Sequence, residues 1–285
     1  MSEFSVFSKE PLEKLAVAKL EEKDPLELAK EKNVGREEAL ERVRELAIVA
    51  SKKRIREAVK RDMLVIQAVS ALDELNETTN LLSNRLREWY GLHAPEITRE
   101  TSSMDKYISI VNSNKDESPM GLDLEKDDYE IIKSHAKTIT ELFAHKRAIE
   151  EYLEKLMGDI APNLTSLAGA GLAARLIAKG GSLEKIARTS ASTLQVYGAE
   201  RALFKHLLKG TPCPKHGLIF QHPAILGAKR TQRGKIARAL AGKLAIAARI
   251  DFYSTKLNKQ ISRDFEKRLA AIRSEKEWTN RKTSA

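Results

Sequence analysis

One cysteine, Cys213, stands in 285 residues. A lone thiol excludes an internal disulfide and suits a reducing compartment. Aromatic residues make up 5%, and strand-like alternation is nearly absent, with Gly217 to Gln221 as the one short candidate. Set beside 32% charged residues, these shortages argue against a sheet sandwich and for long helices. The expected fold class is all-α. No apolar run reaches membrane length and no signal or transit peptide is visible, so the expectation is a cytoplasmic protein with no membrane partner.

Acidic residues are missing from one region in particular. Residues 171–250 hold two acids, Glu184 and Glu200, against 15 Lys+Arg, for a net charge of +13; residues 1–170 carry −7 and residues 251–285 carry +4, within a total of +10. An acidic front half joined to a strongly basic back half implies a protein-facing region and a polyanion-facing region.

Helical periodicity organises what is there. Residues 1–46 read as a short helical N-terminal segment, with helices over Leu12 to Leu20 and Glu37 to Ile48 laid against a coiled coil. That coiled coil, residues 47–158, reads as a long antiparallel hairpin. Its first helix starts from Ala47 with a seam at Val59, Met63, Ile66, Val69 and Leu72; its second runs from about Lys126 to Met157 with Ile132, Ile139, Leu142, Ile149 and Leu156. Asn76, Asn80 and Asn84 are candidates to set register in a homodimer through this element. The Ser-, Asn- and Asp-rich stretch 98–125 reads as a mobile connection, and Trp89, Tyr90 and His93 as packing at the hairpin tip. A compact helical domain spans 159–255, and 256–285 is a basic helical tail.

Within that domain, Leu203, Phe204, Leu207 and Leu208 recur at helical spacing beside a cationic line of Arg201, Lys205 and Lys209, which predicts one packed and one charged edge. The device repeats where Ile236, Leu240 and Leu244 face inward while Lys235, Arg238, Gly242 and Arg249 follow the other side. Gly234, between Arg233 and Lys235, leaves backbone bare at a helix start, where unpaired N–H groups favour phosphate.

Other chemistry is weaker. Gly169-Ala170-Gly171 lacks a preceding strand and the third glycine of a dinucleotide fingerprint. Cys213, His216 and His222 lack a fourth metal ligand. No nucleophile has a base and an orienter, and Glu200 is expected to pair with Arg201, Arg238 or a backbone N–H rather than to abstract protons. The sequence points away from an enzyme and asks for no cofactor or metal.

GLAARLI (171–177), ASTLQVYGAERALF (191–204), PKHGLIFQHP (214–223), QRGKIARALAGKLAIAARID (232–251) and, upstream, REWYGLHAPE (87–96) resemble the Nop domain of scaffold proteins in C/D-box guide ribonucleoproteins and of a related spliceosomal protein. Arg201 stands where that family usually has Lys, and Lys229 and Arg230 where aromatic residues often precede QRGK. The resemblance implies an RNA-binding scaffold that clamps kink-turn (C/D-box) guide RNA together with a kink-turn-binding, ribosomal-type protein, the 2′-O-methylation belonging to fibrillarin. It implies phosphate contacts by Arg201, Lys205, Arg233, Lys235, Arg238 and Arg249, a hydrogen bond from Gln232, stacking by His216, and a joint RNA–protein contact at Gly198, Ala199 and Glu200. The short front without strand alternation predicts weak or absent fibrillarin binding. A splicing-type Nop protein without fibrillarin recruitment and a coiled-coil adaptor that meets no RNA stay open as alternatives.

Overall fold

The computed structural model describes residues 35–113, 119–254 and 256–274. Among them every regular element is helical. The chain divides into two compact units, Met1–Arg61 and Asp62–Ala285. In the first, α1 (Arg36–Ala58) carries Glu37 and Glu38 in its first turn and Arg56 in its last, charges that suit the helix dipole. It stops at Val59, whose backbone is extended. The helix expected to run unbroken from Ala47 is therefore two helices. Six cations lie between Lys52 and Arg61, where like charges at i, i+4 weaken a helix. The expected helix Leu12 to Leu20 and the tail from Glu275 onward lie outside the described residues.

The second unit begins with α2 (Asp62–Tyr90). After a tight turn come α3 (Pro95–Glu100) and α4 (Met104–Ser113), then α5 (Lys126–Ile160), which opens on a capping box between Glu125 and Asp128. Tyr90, at the end of α2, meets Tyr129 near the start of α5, while Val65 and Val69 share a core with Leu153, Leu156 and Met157. The two long helices thus form an antiparallel hairpin. Of the expected seam, Val69, Ile132, Ile139 and Leu156 are buried and Ile66, Leu72 and Ile149 pack against the core, whereas Val59 and Met63 are exposed; Val65, Ala68 and Leu86 are buried in addition. Asp62, Thr79 and Ser83 are the polar residues buried along α2, while Asn80 and Asn84 are exposed.

Within the stretch 98–125, expected to be a mobile connection, the described residues supply the end of α3 and all of α4; residues 114–118 lie outside the described residues. Tyr107, Ile108 and Val111 are buried at i, i+1, i+4 against Leu86, Tyr90, Ile132 and Ile139. Arg87 secures the end of α3 by donating to the carbonyls of Thr101 and Ser102, and its guanidinium lies over the Tyr107 ring. Tyr90 and His93 are buried in the tip as expected; Trp89 stays partly exposed beside His135.

Past the hairpin come α6 (Pro162–Ala168), α7 (Ala170–Gly180), α8 (Leu183–Arg188), α9 (Ala191–Val196), α10 (Glu200–Lys209), a 3-10 turn (Leu218–Gln221), α11 (Pro223–Leu226), α12 (Arg233–Tyr253) and α13 (Gln260–Ser274). The expected short strand at Gly217 to Gln221 is that 3-10 turn. Leu164, Leu176, Ile177, Ile186, Ile236, Leu240 and Leu244 build one core continuous with the hairpin base. Two buried carboxylates fasten it. Asp62 accepts from the Leu183 N–H at the start of α8. Asp251 accepts from the Asn163 and Leu164 N–H groups and from the Asn163 amide, at 2.9, 2.9 and 2.6 Å. These bonds satisfy orphan donors at the start of α6.

Candidate nucleic-acid interface

Helix α12 is the spine of the basic domain. Ile236, Leu240, Leu244, Ala247 and Ala248 are buried along one side, and small residues let α8 and α9 approach it closely. Its opposite side is exposed at Lys235, Arg238 and Arg249. The inward and outward lines read from the sequence are therefore those of the structure.

Helix α10 differs. It buries no residue. Phe204, Leu207 and Leu208 are 63%, 69% and 82% exposed, so the edge expected to pack lies open, next to the exposed Arg201 and Lys205. Only its ends are tied down. Gly210, in the left-handed region at φ 65°, closes the C-terminal end, and His206 Nδ1 bonds the Thr211 carbonyl oxygen.

The N-terminal end of α10 is the Gly198-Ala199-Glu200 joint. Gly198 has φ 84°, and a methyl group there would come within 2.6 Å of Leu218 Cγ, so the turn requires glycine. Glu200 Oε1 accepts from the Gly198 N–H at 3.0 Å and meets Lys179 Nζ at 3.2 Å. The expected backbone partner is present; the cation is Lys179 on α7 rather than Arg201 or Arg238. Burial alone would raise the Glu200 pKa, but the Gly198 and Glu200 N–H groups and Lys179 together bring it below its ordinary value. Glu200 is thus an ionised pin for the turn.

The loop after α10 returns to this joint. Gln195 Nε2 donates to the Lys215 carbonyl at 2.6 Å, and the Gly217 and Leu218 N–H groups donate to the carbonyls of Gln195 and Tyr197. A methyl group on Gly217 would stand 1.9 Å from the Tyr197 oxygen, so this close approach also demands glycine. Lys215 lies against Gly234, which brings the loop to the start of α12. His216 stacks on Phe220, ring centroids 4.6 Å apart and planes at 16°, while the Arg233 guanidinium lies over the same Phe220 ring at 5.4 Å. Burial, then the charges of Arg233 and Lys215, hold the His216 pKa below its ordinary value. A neutral, half-buried ring with one face on Phe220 results. Phe220, Lys179, Lys215 and Gln195 were missed as site residues, although all but Lys179 lie inside the family-like motifs.

Three of the expected contact residues are also engaged within the chain. Gln232 spends its Nε2 on the Ile272 carbonyl at 3.0 Å, turning toward α13. Arg233 donates through Nε to the Ala228 carbonyl at 3.0 Å and braces the preceding loop. Arg249 donates to the Ala187 carbonyl at the end of α8; at 1.5 Å per residue it lies about 24 Å along α12 from Arg233. Arg201 and Lys205 follow the joint on α10, the loop carrying Lys215 and His216 is bonded back to it, and Lys215 and Arg233 tie that loop to the start of α12, from which Lys235 and Arg238 continue. His222 is spent on structure: Nδ1 accepts from the Ala224 N–H and Nε2 meets the Leu167 carbonyl.

Comparison with known proteins bears on this arrangement. The family model described as Nop, snoRNA binding domain, fibrillarin, matches residues 71–119 and 113–271. An uncharacterised NOP5 family protein of Methanocaldococcus jannaschii is 42% identical over 241 residues, 76% of this chain and 58% of that protein. Nucleolar protein 58 of Candida albicans is 36% identical over 222 residues (69% of this chain, 43% of the relative), and nucleolar protein 56 of Homo sapiens 35% over 222 residues (68% and 37%). The chain thus spans roughly two fifths to three fifths of those relatives' lengths. A chain from a crystal structure of a fibrillarin/Nop5p complex superposes with a TM-score of 0.52 at 28% identity, over 93% of each chain.

Two expectations are corrected by these findings. A cytoplasmic address read from a missing leader does not hold, because the eukaryotic relatives are named nucleolar proteins. The doubt cast on fibrillarin by a short front does not hold either, because the similar chain from the fibrillarin complex matches over nearly its whole length. With the family model covering most of the sequence and the motif-bearing helices folded around one joint, the chain belongs to the Nop family.

Proposed function

We propose that this protein is an RNA-binding scaffold of a C/D-box guide ribonucleoprotein, which clamps kink-turn RNA together with a kink-turn-binding protein and presents that RNA for 2′-O-methylation by fibrillarin. One observation carries the reading: α10 offers a cationic edge and an uncovered apolar edge side by side. A helix that exposes Phe204, Leu207 and Leu208 has an apolar patch to bury against a protein. A helix that also exposes Arg201 and Lys205 has phosphates to meet. The joint object that satisfies both edges is an RNA already carrying its own protein. Lys235 and Arg238 add phosphate contacts from α12, and the neutral His216 ring stacks on an unpaired base.

In this reading the chain supplies position and partners, and the methyl transfer is fibrillarin's chemistry. The hairpin forms a homodimer, since Leu64, Leu81, Ile131 and Tyr152 are exposed along α2 and α5; light scattering that gave a monomeric mass at micromolar concentration would reject that part. The test of the main reading is a titration of kink-turn RNA, alone and pre-bound by a kink-turn-binding protein. Tighter binding to the pre-bound RNA supports it. Equal affinity for both, or for plain duplex of the same length, contradicts it.

A further inference from the structure

Resting on that reading of the basic face, one feature of α12 extends it. Lys235, Arg238, Gly242, Ile246, Arg249 and Tyr253 fall at helical spacings that place them on a single stripe, and none of the six is buried. The stripe runs the length of the helix and ends on Tyr253, an aromatic ring 71% exposed. In a chain with only 5% aromatic residues, most of the large rings among the described residues are covered. Gly242, midway, has open space where a Cβ would stand, so nothing rises from the helix there to interrupt a strand laid along it.

The end of the stripe is rigid. Asp251 is locked into the start of α6 by three hydrogen bonds, and the chain just beyond Tyr253 is held by Asn163, which donates to the Lys256 carbonyl at 2.9 Å and accepts from the Asn258 N–H at 2.7 Å. Phe252 braces the Tyr253 ring edge-on at 4.9 Å. Arg249, one turn back, is oriented by its bond to the Ala187 carbonyl. A fixed, exposed ring beside an oriented guanidinium is a stacking platform with a phosphate contact, the pairing by which proteins hold unpaired nucleic acid.

We propose that single-stranded RNA leaving the folded kink-turn runs along α12 from Arg238 past Gly242, and that Tyr253 stacks on one of its bases while Arg249 meets the adjoining phosphate. Tyr253 lies about 22 Å from Arg238 along the helix. The kink-turn contact and the strand contact are therefore two sites joined by one helix.

The test compares two RNAs on the full chain: a blunt kink-turn RNA, and the same RNA with a single-stranded extension of about five uridines at either end. The extension at one end is expected to tighten binding about tenfold. Tyr253→Ala removes that gain and leaves the blunt RNA unchanged, while Tyr253→Phe keeps it. Thermal melting of both variants checks the fold. Wild-type protein that binds blunt RNA but gains nothing from either extension overturns the strand path and leaves the stripe to a protein contact. A gain that survives Tyr253→Ala overturns the role of the ring. Failure to bind either RNA, with or without the kink-turn-binding protein, removes the scaffold reading itself and this inference with it.

Discussion

Helices α10 and α12 are written alike and used oppositely. Each has an apolar line beside a line of Lys and Arg at helical spacing. On α12 the apolar line is the centre of the core, with Ile236, Leu240 and Leu244 fully buried; on α10 Phe204, Leu207 and Leu208 lie in water. The difference is neighbours. Helix α12 is packed by α6, α8, α9 and α13, whereas α10 is anchored at its ends by Glu200 and Gly210 and stands clear between them. An apolar line on a helix thus states a need for a partner without saying whether that partner lies within the chain.

The contrast is broken most forcefully by truncation. Leu240→Ala should cost about 2–5 kcal/mol of unfolding free energy, whereas Leu208→Ala should stay within about 0.5 kcal/mol, both read from urea midpoints. Similar losses would put α10 in the core after all. Next in size, Asp251→Ala strips the acceptor from three donors at the start of α6 and should cost about 1–3 kcal/mol.

Binding sharpens the contrast from the other side. If Arg201, Lys205, Lys235 and Arg238 meet four phosphates on largely duplex RNA, log affinity falls against log salt with a slope of about −4. Arg201→Ala on α10 and Arg238→Ala on α12 should each make that slope shallower by about 1 without lowering the melting temperature. A slope unchanged by either substitution would take that residue out of the interface.

The smallest effect concerns acid. Burial holds the His222 pKa below its ordinary value, against the Leu167 carbonyl that raises it, and Nδ1 accepts from the Ala224 N–H, so the native state prefers the neutral ring. Its contribution to stability is complete above about pH 6.5 and declines as pH falls through the lowered pKa. Urea midpoints between about pH 7 and 5 should therefore decline in the wild type and be flatter in His222→Gln. Identical slopes would assign the acid sensitivity elsewhere.

The all-α class, the hairpin and the concentration of positive charge in the back half were legible because they rest on periodicity and composition, which are local. What was not legible depended on neighbours. The spacing of Phe204, Leu207 and Leu208 could not say that no helix covers them. That Gln232 and Arg233 also donate to the carbonyls of Ile272 and Ala228 was not visible in the sequence. The polar composition of the stretch as a whole hid α3 and α4; the buried residues of α4, Tyr107, Ile108 and Val111, gain their meaning only against the hairpin tip. The reason glycine is required at Gly198, the Leu218 side chain against it, was not legible either.

The central claim is that the open apolar edge of α10 is a protein-binding surface, and the most direct measurement is calorimetric titration of kink-turn RNA pre-bound by its kink-turn-binding protein with the Leu207→Gln, Leu208→Gln double variant, which removes the apolar edge without adding charge. The account predicts at least about a tenfold loss of affinity for the protein-bound RNA, an unchanged affinity for the bare RNA, and a melting temperature equal to that of the wild type. Undiminished binding to the protein-bound RNA, or a variant that unfolds at markedly lower temperature, would contradict it.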